Sequence, residues 1–297
     1  MAAHSFVVAL AAVGFLTTRA DGTLNKRQSI TPLTQNQISA FKPFTYYAST
    51  AYCAPSATLT WSCGANCDAN PGFVTTTSGG DGSVTQYCGR IHFSAALSES
   101  GYRSHSELGV PVLTDESLTL TTLDSTLFPG IDSSIEVHNG FAAAQARSAA
   151  DVLAAVESTL SSYGANSVTI VGHSLGAALA LLDSVYLPLH LPSSVMFKTI
   201  GYGMPRVGNQ AFANYVDANL HLTHINNKED PVPIIPGIFL GFVHPAGEVH
   251  IMDDNLWVSC PGQDNPSKEC IVGDEPSLLN SDESDHDGPY DGVEMGC

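Results

Sequence analysis

From Phe141 to Leu160 the chain is alanine-rich, and Val152, Leu153, Val156 and Leu160 recur at the three- and four-residue spacing of one helical face. Tyr163-Gly164 closes this predicted helix, with glycine past the end as helix C-termini prefer. The period then changes. Ser167-Val168-Thr169-Ile170-Val171 is a β-branched run that reads as a buried strand. Ala177 to Leu182 is small and helix-favouring and reads as a buried helix. Met196 to Tyr202 predicts another strand, closed by Gly203-Met204-Pro205. Ala211 to Asn219 predicts a helix, and His221 to Asn226 a strand leading to Asp230. Strands alternating with helices imply an α/β domain with a mostly parallel central sheet flanked by helices. Upstream, Ile38, Phe41, Phe44, Tyr46 and Tyr47 give residues 31–52 a helix-like spacing. Cys53 to Gly72 is punctuated by Cys, Pro and Gly and reads as loop. No internal repeat or low-complexity linker interrupts the chain, so 28–297 reads as one domain.

The N-terminus changes this picture. Phe6 to Leu16 is an apolar run of signal-peptide length, too short to span a bilayer. Residues 1–20 are therefore expected to be a secretory signal, and 21–27 a propeptide-like segment ending at Lys26-Arg27. A chain starting at Gln28 loses Arg19, Lys26, Arg27 and Asp21, which moves the net charge from −18 to −20. Such a surface repels nucleic acid and anionic membranes and suits a neutral substrate. Seven cysteines in a secreted chain imply disulfides. Cys63 with Cys67, Cys260 with Cys270, and Cys53 with Cys297 are candidate pairs, with Cys88 left over; sequence alone does not fix the connectivity. A zinc site at Cys63 and Cys67 lacks companion ligands, and no metal or cofactor is expected.

Gly172-His173-Ser174-Leu175-Gly176 fits G-x-S-x-G, and it lies between the predicted strand and helix that such an elbow requires. Its glycines let strand and helix approach closely. A serine hydroxyl needs a base to take its proton and a carboxylate to orient that base. Where the chain order is serine, acid, histidine, the acids after Ser174 include Asp183, Asp217, Glu229, Asp230 and Glu248. Asp230 stands out because it follows a predicted strand and precedes the stiff Pro231-Val232-Pro233. Three histidines, His244, His250 and His286, follow it, and position alone leaves them near equal. The polar flank and Gly288-Pro289-Tyr290 turn around His286 suit a catalytic loop. His173 reads as structural.

These segments together resemble secreted fungal class 3 lipases of the α/β-hydrolase fold. The resemblance rests on Gly172 to Ala177, Pro205 to Asn209, Phe212 to Val216, Asn227 to Pro233, Phe242 to His244 and Asp285 to Tyr290, with the six cysteines named above. It implies Ser174 as nucleophile, Asp230 as orienting acid, His286 as base, and the three cysteine pairs as written. It implies a triacylglycerol lipase, a serine carboxylic-ester hydrolase acting on neutral lipid at an oil–water interface without a stable membrane anchor. A feruloyl esterase of the same fold is the near alternative, and a non-catalytic relative the more distant one. Val232, Ile234, Ile235, Ile238, Phe239 and Leu240 could line an acyl groove, but most are expected to be core.

One segment departs from the family. The oxyanion hole should combine the backbone N–H of Leu175 with a second donor after an apolar strand and a Gly-Thr or Gly-Ser loop. Residues 88–113 offer neither, and Gly109-Val110 is the nearest stand-in, with Val110 the candidate donor. Codons for Gly101-Tyr102-Arg103 can encode Val-Ile-Val one base over, and the family-like reading resumes at Leu113. The expectation is therefore a frame change or mis-splicing upstream of Leu113, with 88–113 irregular beside Ser174.

Overall fold

A computed structural model describes residues 29–80, 86–90, 92–96 and 118–297. The expected signal and propeptide-like segments, residues 97–113 and Val110 lie outside the described residues.

The N-terminal elements are β1 (Thr31–Pro32), α1 (Gln35–Ser39) and α2 (Lys42–Thr50). The helical spacing over 31–52 thus resolves into two helices. Thr34 and Gln37 cap α1 reciprocally, and Pro43 sits in the first turn of α2, where its missing N–H costs nothing. The stretch read as loop holds two short helices, α3 (Pro55–Leu59) and α4 (Ala65–Asp68). Pro55 opens the first, and the Cys63–Cys67 bridge closes around the start of the second. Next come β2 (Thr77–Gly80), β3 (Gln86–Arg90), β4 (His92–Ala96), β5 (Leu120–Thr122) and β6 (Glu136–His138).

The chain then alternates as its pattern predicts. It runs through α5 (Asn139–Tyr163), β7 (Ser167–His173), α6 (Leu175–His190) and β8 (Met196–Tyr202). It continues with β9 (Gly208–Asn209), α7 (Gln210–Asn219), β10 (Leu222–Asn227), β11 (Phe242–Val243), β12 (Glu248–Ile251), β13 (Trp257–Cys260) and α8 (Ile271–Asp274). Gly164, left-handed at φ 60°, stops α5 as expected.

Among the described residues the main sheet has the order β1-β13-β12-β10-β8-β7-β4-β3-β2. Its centre, β4 to β12, is parallel, and antiparallel strands finish both edges. A smaller antiparallel sheet, β11-β9-β6-β5, lies apart. Every residue of α6 from Leu175 to Leu187 is buried, because α6 lies between the sheet and α5. Its leucines and alanines join Val152 and Val156 of α5 and Ile170 of β7 in the largest apolar core. No helix among the described residues is long and apolar enough to cross a membrane.

The slot beside the elbow strand corrects one expectation. It is filled by β4, which runs parallel to β7 with Phe93 opposite Ile170 and Ser94 opposite Val171. Strand pairing is made by main-chain groups, which the polarity of the side chains in 88–113 does not abolish. The reading from side-chain character alone therefore missed β3 and β4. The disulfides are Cys53–Cys297, Cys63–Cys67 and Cys260–Cys270, the three pairs the resemblance implies.

Candidate active site

The turn after β7 is strained. Ser174 has φ 56° and ψ −131°, a region that residues with a Cβ rarely enter. Its N–H is held by the carbonyl of Tyr202 at 2.9 Å, at the end of neighbouring β8. Glycine at 172 is a steric requirement: a Cβ there would lie 2.2 Å from the carbonyl oxygen of Gly176. Helix α6 begins at once, and Ala177 and Ala178 both donate to the Ser174 carbonyl. Leu175 N–H is the first donor of this helix and has no carbonyl one turn before it to bond. It lies at the positive end of the helix dipole, beside the serine.

Asp230 follows β10 and is fully buried. Its Oδ1 accepts from the N–H of Val232 at 2.8 Å. Both carboxylate oxygens accept from His286 Nδ1, at 3.0 and 2.9 Å. A carboxylate only accepts, so Nδ1 carries the ring proton and Nε2 is left as the basic nitrogen. The His286 side chain is 18% exposed and so can meet solvent or substrate.

The loop that carries His286 is stitched to the end of β10. Asn227 Nδ2 donates to the carbonyl of Asp285 at 2.9 Å, and the N–H of Asp282 donates to the carbonyl of Glu229 at 3.0 Å. Lys228 Nζ lies 3.8 Å from Asp285 Oδ1. Asp282 caps the 3-10 turn Glu283–Asp287 by accepting from the N–H of Ser284. The His286 carbonyl accepts from His173 Nε2 at 2.8 Å and from the Tyr290 hydroxyl at 3.0 Å. Gly203, at φ 51°, lies where these groups meet. A Cβ there would be 2.9 Å from Asp230 Oδ2 and from His286 Cε1 and Nδ1. Ser174, Asp230 and His286 therefore share the carboxyl ends of β7, β8 and β10, where open α/β sheets place ligands.

The competing candidates are engaged elsewhere. His244 is buried, donates from Nε2 to the carbonyl of Pro233 at 2.8 Å and stacks on His224. Burial and the nearby Arg206 charge push its pKa down to about 3. His250 is fully buried in β12, with Nε2 2.9 Å from Asp274 Oδ2. Asp183 is buried in α6 against Gln145, and burial raises its pKa to about 7. Glu248 is buried in β12, accepts from the N–H of Ile271, and is likewise raised to about 7 by burial. Asp217 accepts from the N–H of Ala246. Glu229 is raised first by desolvation and then by its acidic neighbours, with Asp253 first among them.

The segment beyond Asp230 corrects a second expectation. Of the six apolar residues expected to be mostly core, only Val232 is buried, while Ile238, Phe239 and Leu240 are exposed, Phe239 at 89%. A 3-10 turn over Ile238–Leu240 ends at Gly241, φ 89°, and turns their side chains outward. Arg206, itself buried, anchors the base of this loop through the carbonyls of Ile234 and Pro236 and through Asp264. Sequence reasoning gave no role to Tyr52, Arg206, Asn227, Asp285 or Tyr290. All but Tyr52 lie in the segments that carried the resemblance; nothing in the spacing around Tyr52 marks it.

Residues 112–240 match the family described as lipase (class 3). This stretch, which runs from the segment before β5 to the exposed loop after Asp230, is similar to that family. It is 35% identical over 189 residues to a secreted mono- and diacylglycerol lipase of Malassezia globosa, which covers 62% of this chain and 60% of that protein. A secreted mono- and diacylglycerol lipase of Malassezia restricta is 31% identical over 150 residues, 49% of this chain and 48% of that protein. The chain thus spans between about half and three-fifths of the length of these relatives. Among solved structures, lipase II from Rhizopus niveus superposes with a TM-score of 0.74 at 24% identity, over 91% of this chain and all of the other. Rhizomucor miehei triacylglyceride lipase gives a TM-score of 0.72 at 25% identity, over 90% and 99%. The α/β-hydrolase fold expected from the sequence is the fold of this chain.

Proposed function

We propose that this chain is a secreted acylglycerol lipase that hydrolyses esters through an acyl-enzyme on Ser174. The observation that carries this reading is a strained elbow serine at the carboxyl end of β7, on the same sheet edge as a buried Asp230–His286 pair that packs against Gly203. In the first half-reaction Ser174 Oγ bonds to the ester carbonyl carbon while its proton passes to His286 Nε2. Asp230 holds the other ring proton and stabilises the imidazolium that forms. Leu175 N–H supports the negative charge on the former carbonyl oxygen. The tetrahedral adduct expels the alcohol as His286 returns the proton to it. Water then attacks the acyl-enzyme by the same route and releases the fatty acid.

The relatives' names point to mono- and diacylglycerols, and the structural neighbour's to triacylglycerols. The exposed Ile238, Phe239 and Leu240, on the loop leaving Asp230, favour a substrate met at an oil–water interface. The residue expected as second oxyanion donor, Val110, lies outside the described residues. The family match begins at residue 112, beside Leu113. That start supports the reading of a frame change upstream, and resequencing of the transcript tests it.

The test of function treats the purified chain with a fluorophosphonate probe, then assays mono-, di- and triolein emulsions beside methyl ferulate. Labelling of Ser174, lost in Ser174→Ala, with hydrolysis of the acylglycerols, is the expected result. Preference for methyl ferulate would move the assignment to a feruloyl esterase. No labelling and no turnover would leave a non-catalytic relative.

A further inference from the structure

His173, the residue before the nucleophile, is built into the support of the base. Its ring lies 4.4 Å from that of His286, centroid to centroid. Its Nε2 is 2.8 Å from the main-chain carbonyl oxygen of His286, and its Nδ1 meets the hydroxyl of Tyr52. A carbonyl can only accept, so Nε2 must carry a proton. His173 is almost wholly buried, and burial, followed by the neighbouring His286, holds its pKa well below the ordinary histidine value. The ring is therefore neutral, with one proton. Nδ1 must accept, and Tyr52 must donate. The tautomer of His173 is thus fixed from both sides, by a carbonyl that demands a donor and a phenol that supplies one.

We infer that Tyr52 and His173 form a positioning relay for His286, fixing the backbone of the base on the side opposite Asp230. The inference rests on the triad reading of the same site. Three points give the relay its purpose. The His286 loop is held by Asn227 and Asp285 at its N-terminal side and by Tyr290 at its C-terminal side. The His173 bond ties this loop directly to the strand carrying Ser174, and so helps set how the base sits against the nucleophile's strand. A neutral ring also leaves no positive charge beside the imidazolium that His286 becomes in the reaction. Among the described residues the titratable groups facing this pair include Tyr52, Tyr290, Asp230 and Asp287; Tyr290 lies edge-on to His173 at 6.2 Å, and Asp287 adjoins His286.

A double-mutant cycle tests the relay. Tyr52→Phe keeps the ring and the end of α2 and removes only the hydroxyl. His173→Gln keeps a donor amide but no longer needs Tyr52 to choose its tautomer. His173→Leu removes the donor. Each variant is assayed for kcat and KM on a soluble short-chain ester, for the acid limb of its kcat/KM pH profile, for Ser174 phosphonylation rate, and for thermal stability. Tyr52→Phe should lower kcat about tenfold with KM within about twofold, the worth of one hydrogen bond. His173→Leu should lose more, with its acid limb moved to a different pH because the base is no longer held as before. His173→Gln should recover part of that loss, and adding Tyr52→Phe to it should cost no further activity. Four outcomes overturn the relay: unchanged kcat and acid limb in Tyr52→Phe and His173→Leu, additive losses in the cycle, losses that only follow thermal stability, or effects confined to KM. Absence of Ser174 labelling in the parent chain overturns the triad reading, and the relay with it; labelling with an unresponsive cycle overturns the relay alone.

Discussion

Replacing Asp183 by Asn should make the stability of this protein less sensitive to pH, and stabilise it above neutrality. Asp183 is 2% exposed on α6, between α5 and the sheet. It accepts from Gln145 Nε2 at 3.0 Å, and burial outweighs that bond to raise its pKa from 3.8 to about 7. Between those values the folded chain holds a proton that the unfolded chain has released. Stability must then fall as pH rises through this window, by about 1.36 kcal/mol per pH unit. Over roughly three units the loss is about 4 kcal/mol, complete above pH 7 and absent below the unfolded value. Asn cannot ionise and keeps the acceptor that Gln145 uses. Glu248, raised to about 7, contributes with the same sign. His138, His224 and His244, lowered by burial, contribute with the opposite sign. The informative quantity is therefore the variant minus the parent. Urea unfolding followed by far-UV circular dichroism, with disulfides intact, would be run from pH 4 to pH 8. The difference should favour Asn increasingly as pH rises, by several kcal/mol in all. A difference that stays flat across that range would show that Asp183 is already ionised in the fold, and the reasoning from burial would be wrong.

Asp230→Asn should keep the geometry but favour the wrong histidine tautomer, with kcat falling on the order of 10⁴-fold; His250→Ala, remote from solvent, should lose less than about tenfold, and the reverse order in a steady-state assay would reassign the base. Gly203→Ala should lower kcat on the order of 10²-fold, because its Cβ would press on Asp230 and His286; wild-type turnover would show that the pair tolerates displacement. Cys297→Ser opens the bridge to Cys53, which closes a long loop; a loss of about 2–5 kcal/mol in chemical unfolding is expected, and unchanged stability would mean the bridge constrains little.

The parallel core was legible because its strands and helices each keep one period for a full element. Ser167 to Val171 and Met196 to Tyr202 could be read as strands without knowledge of their neighbours, and Gly164 marked the end of α5. The Asp230–His286 contact and the elbow turn were legible for a different reason: Asp230 follows a strand and precedes Pro231 and Pro233, and the turn needs glycine at 172, where a Cβ would collide with Gly176. What was not legible depends on contacts distant in sequence. Tyr52 reaches His173 across 121 positions, and no local pattern encodes that. The strands β3 and β4 were hidden because their polar side chains do not alternate in the way a half-buried strand would. The exposure of Phe239 was hidden because an apolar run looks the same whether it fills a core or faces outward.

The elbow carries a consequence for how this protein can change. Holding Ser174 in a region suited to glycine costs about 1–3 kcal/mol in the folded state. Ser174→Gly would relieve most of that and forfeit part of the gain to the floppier unfolded chain. The result should be an inert protein roughly 1 kcal/mol more stable than its parent, measurable as a raised unfolding midpoint. Selection for stability alone would therefore erode this site at its central residue. Stability alone thus gives no reason for a serine at this strained position; the hydrolysis proposed above does.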